Sequence, residues 1–315
     1  QNILDELIDS GSILEIIVVL PDGGNVLYEG SFYTNSELNG PFEEYIVYDL
    51  VNQIDETYRT IQSNNYRAIS GHSMGGYGTM FLAMKHPDIF SSLSAHSGPI
   101  KLENLDNSTL ILFLQLENFF GEFSPNSGPI SLMLFALSAA FSPNLDNPPY
   151  YVDLPLTPSG DIINEVFDTW MEFDPYTMID DYIESLEILN IYFDCGTSDE
   201  LQLYSHSQEF SDNLNDLEIE HIFESYEGSH GSNIPQRLEV SFLVHSNHFE
   251  TIDSGILGDV NGDGEVNILD VVLVVNIILE ELEPTPDEYW AADINGDDIV
   301  DVLDIVGLIN IILDS

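Results

Sequence analysis

Short apolar runs alternate with longer amphipathic segments through the first 250 residues of the chain. Five runs rich in β-branched and aromatic residues predict strands: 13–20, 66–70, 90–98, 186–196 and 218–228. Four segments have apolar residues at the spacing of helices: 43–61, 75–85, 204–216 and 234–249. Runs that are apolar on both faces and alternate with helices are typical of parallel sheets. We therefore predict an α/β fold with a mostly parallel sheet covered by helices.

Two parts of the chain depart from this alternation. Residues 100–185 are rich in Leu, Phe, Asn and Pro and predict irregular helices and loops over the sheet, with apolar residues of 110–175 lining a pocket. Later, the similar segments 259–279 and 293–313 repeat at a spacing of 34 residues, each an acidic loop followed by an apolar helix. The expected organisation is an α/β domain over 1–250, a linker over 251–257 and a small all-α domain over 258–315.

The composition limits the classes of partner. The chain has 56 acidic and five basic side chains, for a formal charge of −51, and phosphate binding needs clustered Lys and Arg, so nucleic acid is excluded. No run reaches the roughly 18 apolar residues of a membrane span, and no signal peptide is visible. Because the chain opens at Gln1 inside a helix-like segment, we expect further residues, with any targeting segment, to precede it. The single cysteine, Cys195, lies in an apolar run, which predicts a buried thiol.

The motif "GHSMGG" places Ser73 between glycines, just after a predicted strand and just before a predicted helix. A nucleophile on a tight strand-to-helix turn needs small neighbours, because the turn forces the backbone into an unfavourable conformation. In this context the pattern G-x-S-x-G predicts that Ser73 is the nucleophile of a hydrolase rather than an ordinary turn residue.

A serine nucleophile needs a general base, and the base needs an orienting carboxylate. In hydrolases of this architecture the acid and then the histidine follow the serine, each on a loop after a strand. The loop after 186–196 offers Asp199, with Glu200 as the alternative, and the loop after 218–228 offers His230. Other histidines are predicted inside strands or helices, beside the nucleophile or at the rim of the site: His72, His96, His206, His221, His245 and His248.

Residues 1 to about 250 resemble the "putative esterase" family of α/β-hydrolases, which includes S-formylglutathione hydrolase (esterase D), the antigen 85 mycolyltransferases, and feruloyl and acetylxylan esterases. The resemblance is carried by "IIVVLPDGGN", "YEGSFYTNSELNG", "DLVNQIDETYRT", "GHSMGGYGTMFLAMKHPDIFSSLSAHSG", "FDCGTSDEL" and "YEGSH". It implies that Ser73 attacks an ester or thioester carbonyl, that His230 moves the proton and that Asp199 orients His230. It also implies an oxyanion donor at the backbone N–H of Met74 and catalysis without a cofactor. The family's second oxyanion donor follows a strand that ends in His-Gly, which we expect upstream of Gln1.

The two acidic loops have the spacing of calcium-binding loops. Calcium takes roughly six to eight oxygen ligands, which a 12-residue loop supplies from positions 1, 3, 5, 7, 9 and 12. The first loop offers Asp259, Asn261, Asp263, the carbonyl of Glu265, Asn267 and Asp270. The second offers Asp293, Asn295, Asp297, the carbonyl of Ile299, Asp301 and Asp304, with Asp298 in place of a glycine at position 6. We therefore predict two Ca²⁺ ions, one in each loop.

Residues 258–315 resemble a dockerin module, the paired calcium-loop domain that attaches secreted enzymes to cohesin receptors. At loop positions 10 and 11 the chain has Ile268, Leu269, Val302 and Leu303, which either contact an apolar receptor face or pack within the protein. The two resemblances together imply an extracellular serine carboxylesterase that hydrolyses acyl esters, such as feruloyl or acetyl groups on polysaccharide. The alternatives are a thioesterase of the S-formylglutathione hydrolase type, an acyltransferase, and a non-catalytic assembly protein with a decayed hydrolase domain.

Overall fold

The computed structural model of the chain describes residues 2–24, 27–102, 108–119, 121–253, 257–262, 266–279, 281–297 and 299–314. The chain divides into two compact units, Gln1–Ser246 and Asn247–Ser315. Each unit is described by itself below.

The first unit is built around a sheet of parallel strands. A short antiparallel pair, β1 (Asn35–Ser36) and β2 (Gly40–Pro41), precedes four longer strands: β3 (Ala68–His72), β4 (Ser92–His96), β5 (Asn190–Gly196) and β6 (Ile222–Tyr226). The four strands lie in the order β3-β4-β5-β6, and each neighbouring pair is parallel. The inner strands β4 and β5 are almost entirely buried, whereas β3 and β6 are partly exposed. This confirms the predicted parallel sheet.

Helices pack on this sheet and form the region above it. They are α1 (Asn2–Asp9), α2 (Phe42–Glu44), α3 (Val51–Thr57), α4 (Met74–Lys85), α5 (Ser108–Glu117), α6 (Pro129–Phe141), α7 (Asn164–Met171), α8 (Pro175–Met178), α9 (Ile183–Ile188), α10 (Leu203–Asp216) and α11 (Ile234–Asp253). A π-helical turn, Tyr45–Leu50, joins α2 to α3. In the described part of the chain, no helix is both long and apolar enough to cross a membrane.

Helix α4 anchors the core of the first unit. It is apolar on all sides, and every residue from Gly76 to Met84 is buried. Aromatic rings join it to the segment between β4 and β5: the ring of Tyr77 lies 5.6 Å from that of Phe141, which stacks at 5.1 Å on Phe173. This packing places the irregular segment directly beside the start of α4.

The structure corrects two of the predicted strand segments. Residues 13–20 form no strand. Leu20 is 90% exposed, and the Leu14 N–H donates to Ser246 Oγ (2.8 Å). An apolar run becomes a strand only where its backbone groups find ladder partners, and none of the described strands pairs with this segment. Residues 186–188 belong to the end of α9, in which Leu186 is buried, and β5 begins at Asn190.

The second unit is helical, as the repeat predicts. Its helices are α12 (Ile268–Ile278), α13 (Pro286–Ala292) and α14 (Val302–Asp314). α12 and α14 each follow one acidic loop and pack on each other around an apolar cluster: Val260, Val271, Val274, Ala292 and Leu308. Helix α11 reaches Asp253, inside the range expected to be a linker, and residues 254–256 lie outside the described residues.

Candidate active site

Ser73 lies on the turn between β3 and α4, at the carboxyl end of the sheet. Its dihedral angles, φ 58° and ψ −118°, place it in the positive-φ region that L-residues rarely adopt. The turn depends on Gly71, where a Cβ would lie within 2.3 Å of the backbone of Gly75. The Ser73 N–H donates to the carbonyl of His96 (2.9 Å), which holds the strained turn against β4. The serine therefore occupies a strained elbow of the kind that the glycine pattern predicts.

The structure brings Ser73, Asp199 and His230 together from three separate loops. Ser73 Oγ donates to His230 Nε2 (2.8 Å), and His230 Nδ1 donates to Asp199 Oδ2 (2.8 Å). The three residues follow β3, β5 and β6, respectively. Because the carboxyl ends of parallel strands meet at one edge of a sheet, the fold gathers these loops in one place.

Asp199 is buried while His230 is partly accessible. Their side chains are 0% and 16% exposed, respectively. Asp199 Oδ1 also accepts the N–H of Leu201 (2.9 Å), so both carboxylate oxygens are engaged. A buried carboxylate that accepts a hydrogen bond from an imidazole stabilises the imidazolium formed when that ring takes a proton. This arrangement can activate a serine hydroxyl.

Glu200, the alternative acid, does not contact the imidazole of His230. It is exposed, and its Oε2 accepts the backbone N–H of His230 (3.0 Å). This hydrogen bond lowers the pKa of the Glu200 carboxyl. The geometry favours Asp199 over Glu200 as the orienting acid.

The remaining histidines are engaged away from the hydroxyl of Ser73. Several of them bond to serines, to carboxylates or to backbone: His72, His86, His96, His221 and His245. Burial lowers the pKa of His206 and of His248. Within the described residues, His230 is the histidine that reaches Ser73.

A second Ser–His–Asp set lies in the core, and the sequence analysis missed it. Ser241 Oγ donates to His96 Nε2 (2.5 Å), and His96 Nδ1 donates to Asp194 Oδ2 (2.7 Å). These residues are at most 2% exposed, and Arg237 also binds Asp194 (2.6 Å), so the set attaches α11 to the sheet and cannot receive a substrate. The signal in the sequence is the set of polar side chains Arg237, Ser241 and His245, which lie at i, i+4 and i+8 and therefore on one face of the helix.

Met74 is the first residue of α4, so its backbone N–H has no acceptor inside the helix. It directly follows Ser73, at the positive end of the helix dipole. This N–H group is therefore available to a negative oxygen that forms beside the serine.

A cavity of about 300 Å³ opens beside Ser73. Its wall is mainly apolar and includes residues from the loop before β1, from α5 and from α6: Tyr28, Phe32, Phe113, Ile130, Met133, Ala136 and Leu137. Within the range 110–175 that was predicted to line a pocket, the residues that do so are Phe113 and residues between Pro129 and Leu137. Lys101 and His206 add two buried polar side chains to the wall.

Cys195 lies in β5 and is fully buried, with its Sγ 3.6 Å from Asp199 Oδ2. Burial, and secondly the Asp199 carboxylate, raise the pKa of this thiol to about 12. At pH 8 roughly one thiol in 10⁴ is then ionised, so we expect iodoacetamide to leave the native protein unlabelled over hours. Mass spectrometry measures the labelling, and protein unfolded in guanidinium, which should label fully, is the control. Equal labelling of native and unfolded protein would contradict this expectation.

The acidic loops of the second unit fold back onto their own backbone. Asp270 and Asp304, at position 12 of each loop, are fully buried. Asp270 Oδ1 accepts the N–H of Val260 (2.8 Å), and Asp304 Oδ2 accepts the N–H of Asp301 (2.8 Å). Two of the predicted ligands, Asp263 and Glu265, lie outside the described residues.

The donors of these loops fit calcium in their chemistry. No three His, Cys, Asp or Glu side chains converge on a common metal position in the part of the chain that the structure describes. The described candidates are nevertheless all carboxylate, amide or carbonyl oxygens, which a hard cation prefers: Asp259, Asn261, Asn267, Asp270, Asp293, Asn295, Asp297, Ile299, Asp301 and Asp304.

Comparisons with known proteins bear on both units. A family model described as "Putative esterase" matches residues 1–234, and one described as "Dockerin type I domain" matches residues 257–313. Esterase Rv1288 of Mycobacterium tuberculosis (strain ATCC 25618 / H37Rv) is 38% identical over 91 residues, which cover 28% of this chain and 19% of that protein. The chain therefore matches about a fifth of the length of that curated relative.

Two solved structures are similar to this chain. A ferulic acid esterase superposes with a TM-score of 0.54 at 20% identity, covering 79% of this chain and 76% of that chain. The S-formylglutathione hydrolase FrmB from Staphylococcus aureus gives a TM-score of 0.46 at 19% identity, covering 69% of each chain. The first of these confirms the predicted α/β-hydrolase fold. Since the esterase model spans most of the sequence, the chain belongs to the "Putative esterase" family of α/β-hydrolase serine esterases, and a type I dockerin domain follows its esterase domain.

Proposed function

We propose that this protein is a serine carboxylesterase that hydrolyses acyl esters, with Ser73 as nucleophile, His230 as general base and Asp199 as the acid that orients it. The observation that carries this proposal is the pair of 2.8 Å hydrogen bonds that link the three side chains beside an apolar cavity. Nucleophile, base and orienting acid are the three roles that acyl transfer by a serine requires.

Hydrolysis at this site takes two steps. In the first, Ser73 Oγ attacks the ester carbonyl carbon while His230 Nε2 takes the hydroxyl proton, and the Met74 N–H donates to the oxygen that becomes negative. The C–O bond then breaks, and His230 gives the proton to the departing alcohol. In the second, His230 takes a proton from water, whose oxygen attacks the acyl carbon. The bond between that carbon and Ser73 Oγ then breaks, His230 gives the proton to Ser73 Oγ, and the acid leaves. Asp199 keeps Nδ1 protonated throughout.

The cavity favours esters with a large, apolar acyl group. An acetyl group would leave most of its volume of about 300 Å³ empty, whereas an aromatic acyl group such as feruloyl makes contact with its aromatic and aliphatic walls. The dockerin domain supports a substrate attached to a polymer. We therefore propose feruloyl-type esters of polysaccharide as the substrate class.

Methyl ferulate, acetylated xylan and S-formylglutathione distinguish the candidate substrates. We expect kcat/KM to be highest for methyl ferulate. Ala136→Phe, which narrows the cavity, should lower kcat/KM roughly tenfold or more for methyl ferulate and much less for p-nitrophenyl acetate. Leu116→Phe is the matched control, because Leu116 lies on α5 and is 60% exposed. A preference for S-formylglutathione would instead support a thioesterase.

For the second unit we propose two bound Ca²⁺ ions and calcium-dependent docking to a cohesin-type receptor. The match to the type I dockerin family supports both. The ions would be held by the predicted donors of the two loops and would neutralise their crowded carboxylates. The side chains at loop positions 10 and 11 are 57–64% exposed, which supports contact with a receptor: Ile268, Leu269, Val302 and Leu303. We accordingly propose that the protein is extracellular.

A further inference from the structure

The backbone of His230 is held on both sides by the sequence neighbours of the other two members of the triad. His72, next to Ser73, donates from Nε2 to the carbonyl of His230 (2.8 Å). Glu200, next to Asp199, accepts the N–H of His230 at Oε2 (3.0 Å). We infer that His72 and Glu200 are positioning residues that clamp the two peptide groups flanking His230 and so aim its imidazole at Ser73. This inference rests on the proposed function.

The loop that carries His230 is also held by the Ser198 N–H, which donates to the carbonyl of Gly228 (2.9 Å), and by hydrogen bonds between Ser229 and Ser232. Residues 227–233 form turns between β6 and α11. Within the described residues, no backbone group bonds to the N–H or the carbonyl of His230. The two peptide groups on either side of a residue determine its φ and ψ angles, and these angles set the direction of its Cα–Cβ bond. The hydrogen bonds of His72 and Glu200 therefore fix the carbonyl and the N–H of His230, as ladder hydrogen bonds would fix them in a strand.

The chemistry of the two residues suits this role. Burial is the largest cause of the lowered pKa of His72, which favours its neutral ring. A neutral ring with its hydrogen on Nε2 donates to the carbonyl of His230. It also places no positive charge beside the imidazole of His230, since the centroids of the two rings are 4.9 Å apart. Glu200 is exposed and adds a negative charge at the backbone N–H of His230, and this charge favours the imidazolium that forms during catalysis.

The test compares variants that remove each hydrogen bond with variants that keep it. His72→Leu removes the donor and Glu200→Met removes the acceptor. In His72→Gln the amide NH₂ can still donate, and in Glu200→Gln the amide oxygen can still accept. With an ester substrate, we expect the two apolar variants to lower kcat by roughly 10- to 100-fold while KM changes less than about twofold. The Gln variants should recover most of the loss, within about fivefold of the wild-type kcat. If His72 and Glu200 only stabilised the fold, apolar and Gln variants with the same Tm would not differ in kcat in this way.

A second readout is independent of turnover. The low-field proton resonance of His230 Nδ1–H, assigned with His230→Gln, should shift or broaden in the apolar variants and persist in the Gln variants. If His72→Leu fails to fold, the comparison of Glu200→Met with Glu200→Gln tests the inference, because the Glu200 side chain is exposed and its replacement should not affect folding. If the wild-type protein shows no turnover that depends on Ser73, the proposed function is refuted. The positioning role of His72 and Glu200 is then tested by the His230 Nδ1–H resonance alone. The clamp is overturned if the apolar variants keep wild-type kcat and resonance, or if the Gln variants lose as much as the apolar ones.

Discussion

Replacing Ser73 with alanine is expected to lower kcat for ester hydrolysis by roughly 10⁴- to 10⁶-fold. In the proposed mechanism Ser73 Oγ is the atom to which the acyl group is transferred, and its hydrogen bond to His230 makes the two side chains act as one unit. His230→Gln should therefore be about as inactive, and the double variant no worse than either single one. Initial rates on methyl ferulate and p-nitrophenyl acetate measure the effect.

Ser241→Ala is the matched control, because Ser241 belongs to the buried Ser–His–Asp set beneath the site. We expect its kcat to stay within about threefold of wild type. Its free energy of unfolding should fall by about 1–3 kcal/mol, since the buried His96 loses a hydrogen-bond partner. The proposed mechanism fails if Ser73→Ala retains wild-type turnover while Ser241→Ala loses it.

Removing calcium with excess EGTA is expected to unfold the second unit and to leave the esterase active. In the second loop Asp293, Asp297, Asp301 and Asp304 lie within twelve residues, and without a neutralising cation their charges repel. The two tryptophans divide between the units: Trp170 is buried in the first and Trp290 is 46% exposed on α13. We expect chelation to shift the emission of Trp290 to the red and to reduce the helical circular dichroism, and added Ca²⁺ to reverse both.

Trp290→Phe is the control for this experiment, because the emission left in that variant comes from Trp170 and should not respond to EGTA. Hydrolysis of methyl ferulate should stay within about twofold of its original rate, since the Ser73 site is formed within the first unit. Fluorescence and circular dichroism that remain unchanged at free calcium below ~10⁻⁹ M would refute the metal assignment, because EF-hand-type loops bind more weakly than that.

Local patterns predicted well those parts of the fold that local contacts determine. The strand, turn and helix around Ser73 lie within about twenty residues, and the glycines needed for the turn are visible in the sequence. β3 and α4 accordingly begin within two residues of the prediction. The two acidic repeats and their helices could also be predicted from local patterns, because each repeat is one short continuous segment.

Predictions failed where the outcome depends on what a segment meets in space. The run 13–20 has the composition of a buried strand, but its backbone has no neighbour in the described sheet and Ile17 is 51% exposed. The polar side chains on one face of α11 were overlooked because Ser241 and Arg237 are unremarkable until Asp194 and His96 lie opposite them. Composition alone does not reveal such partners.

By itself, the sequence determined the α/β alternation, the serine elbow, the two calcium-type loops and a short set of candidates for base and acid. Tertiary structure decided that Asp199 rather than Glu200 faces the imidazole, and that His72 holds the loop of His230 instead of competing with it. The physical reason is distance along the chain. Ser73 and His230 are 157 residues apart, and a hydrogen bond between them exists only after the parallel strands have brought their carboxyl ends together.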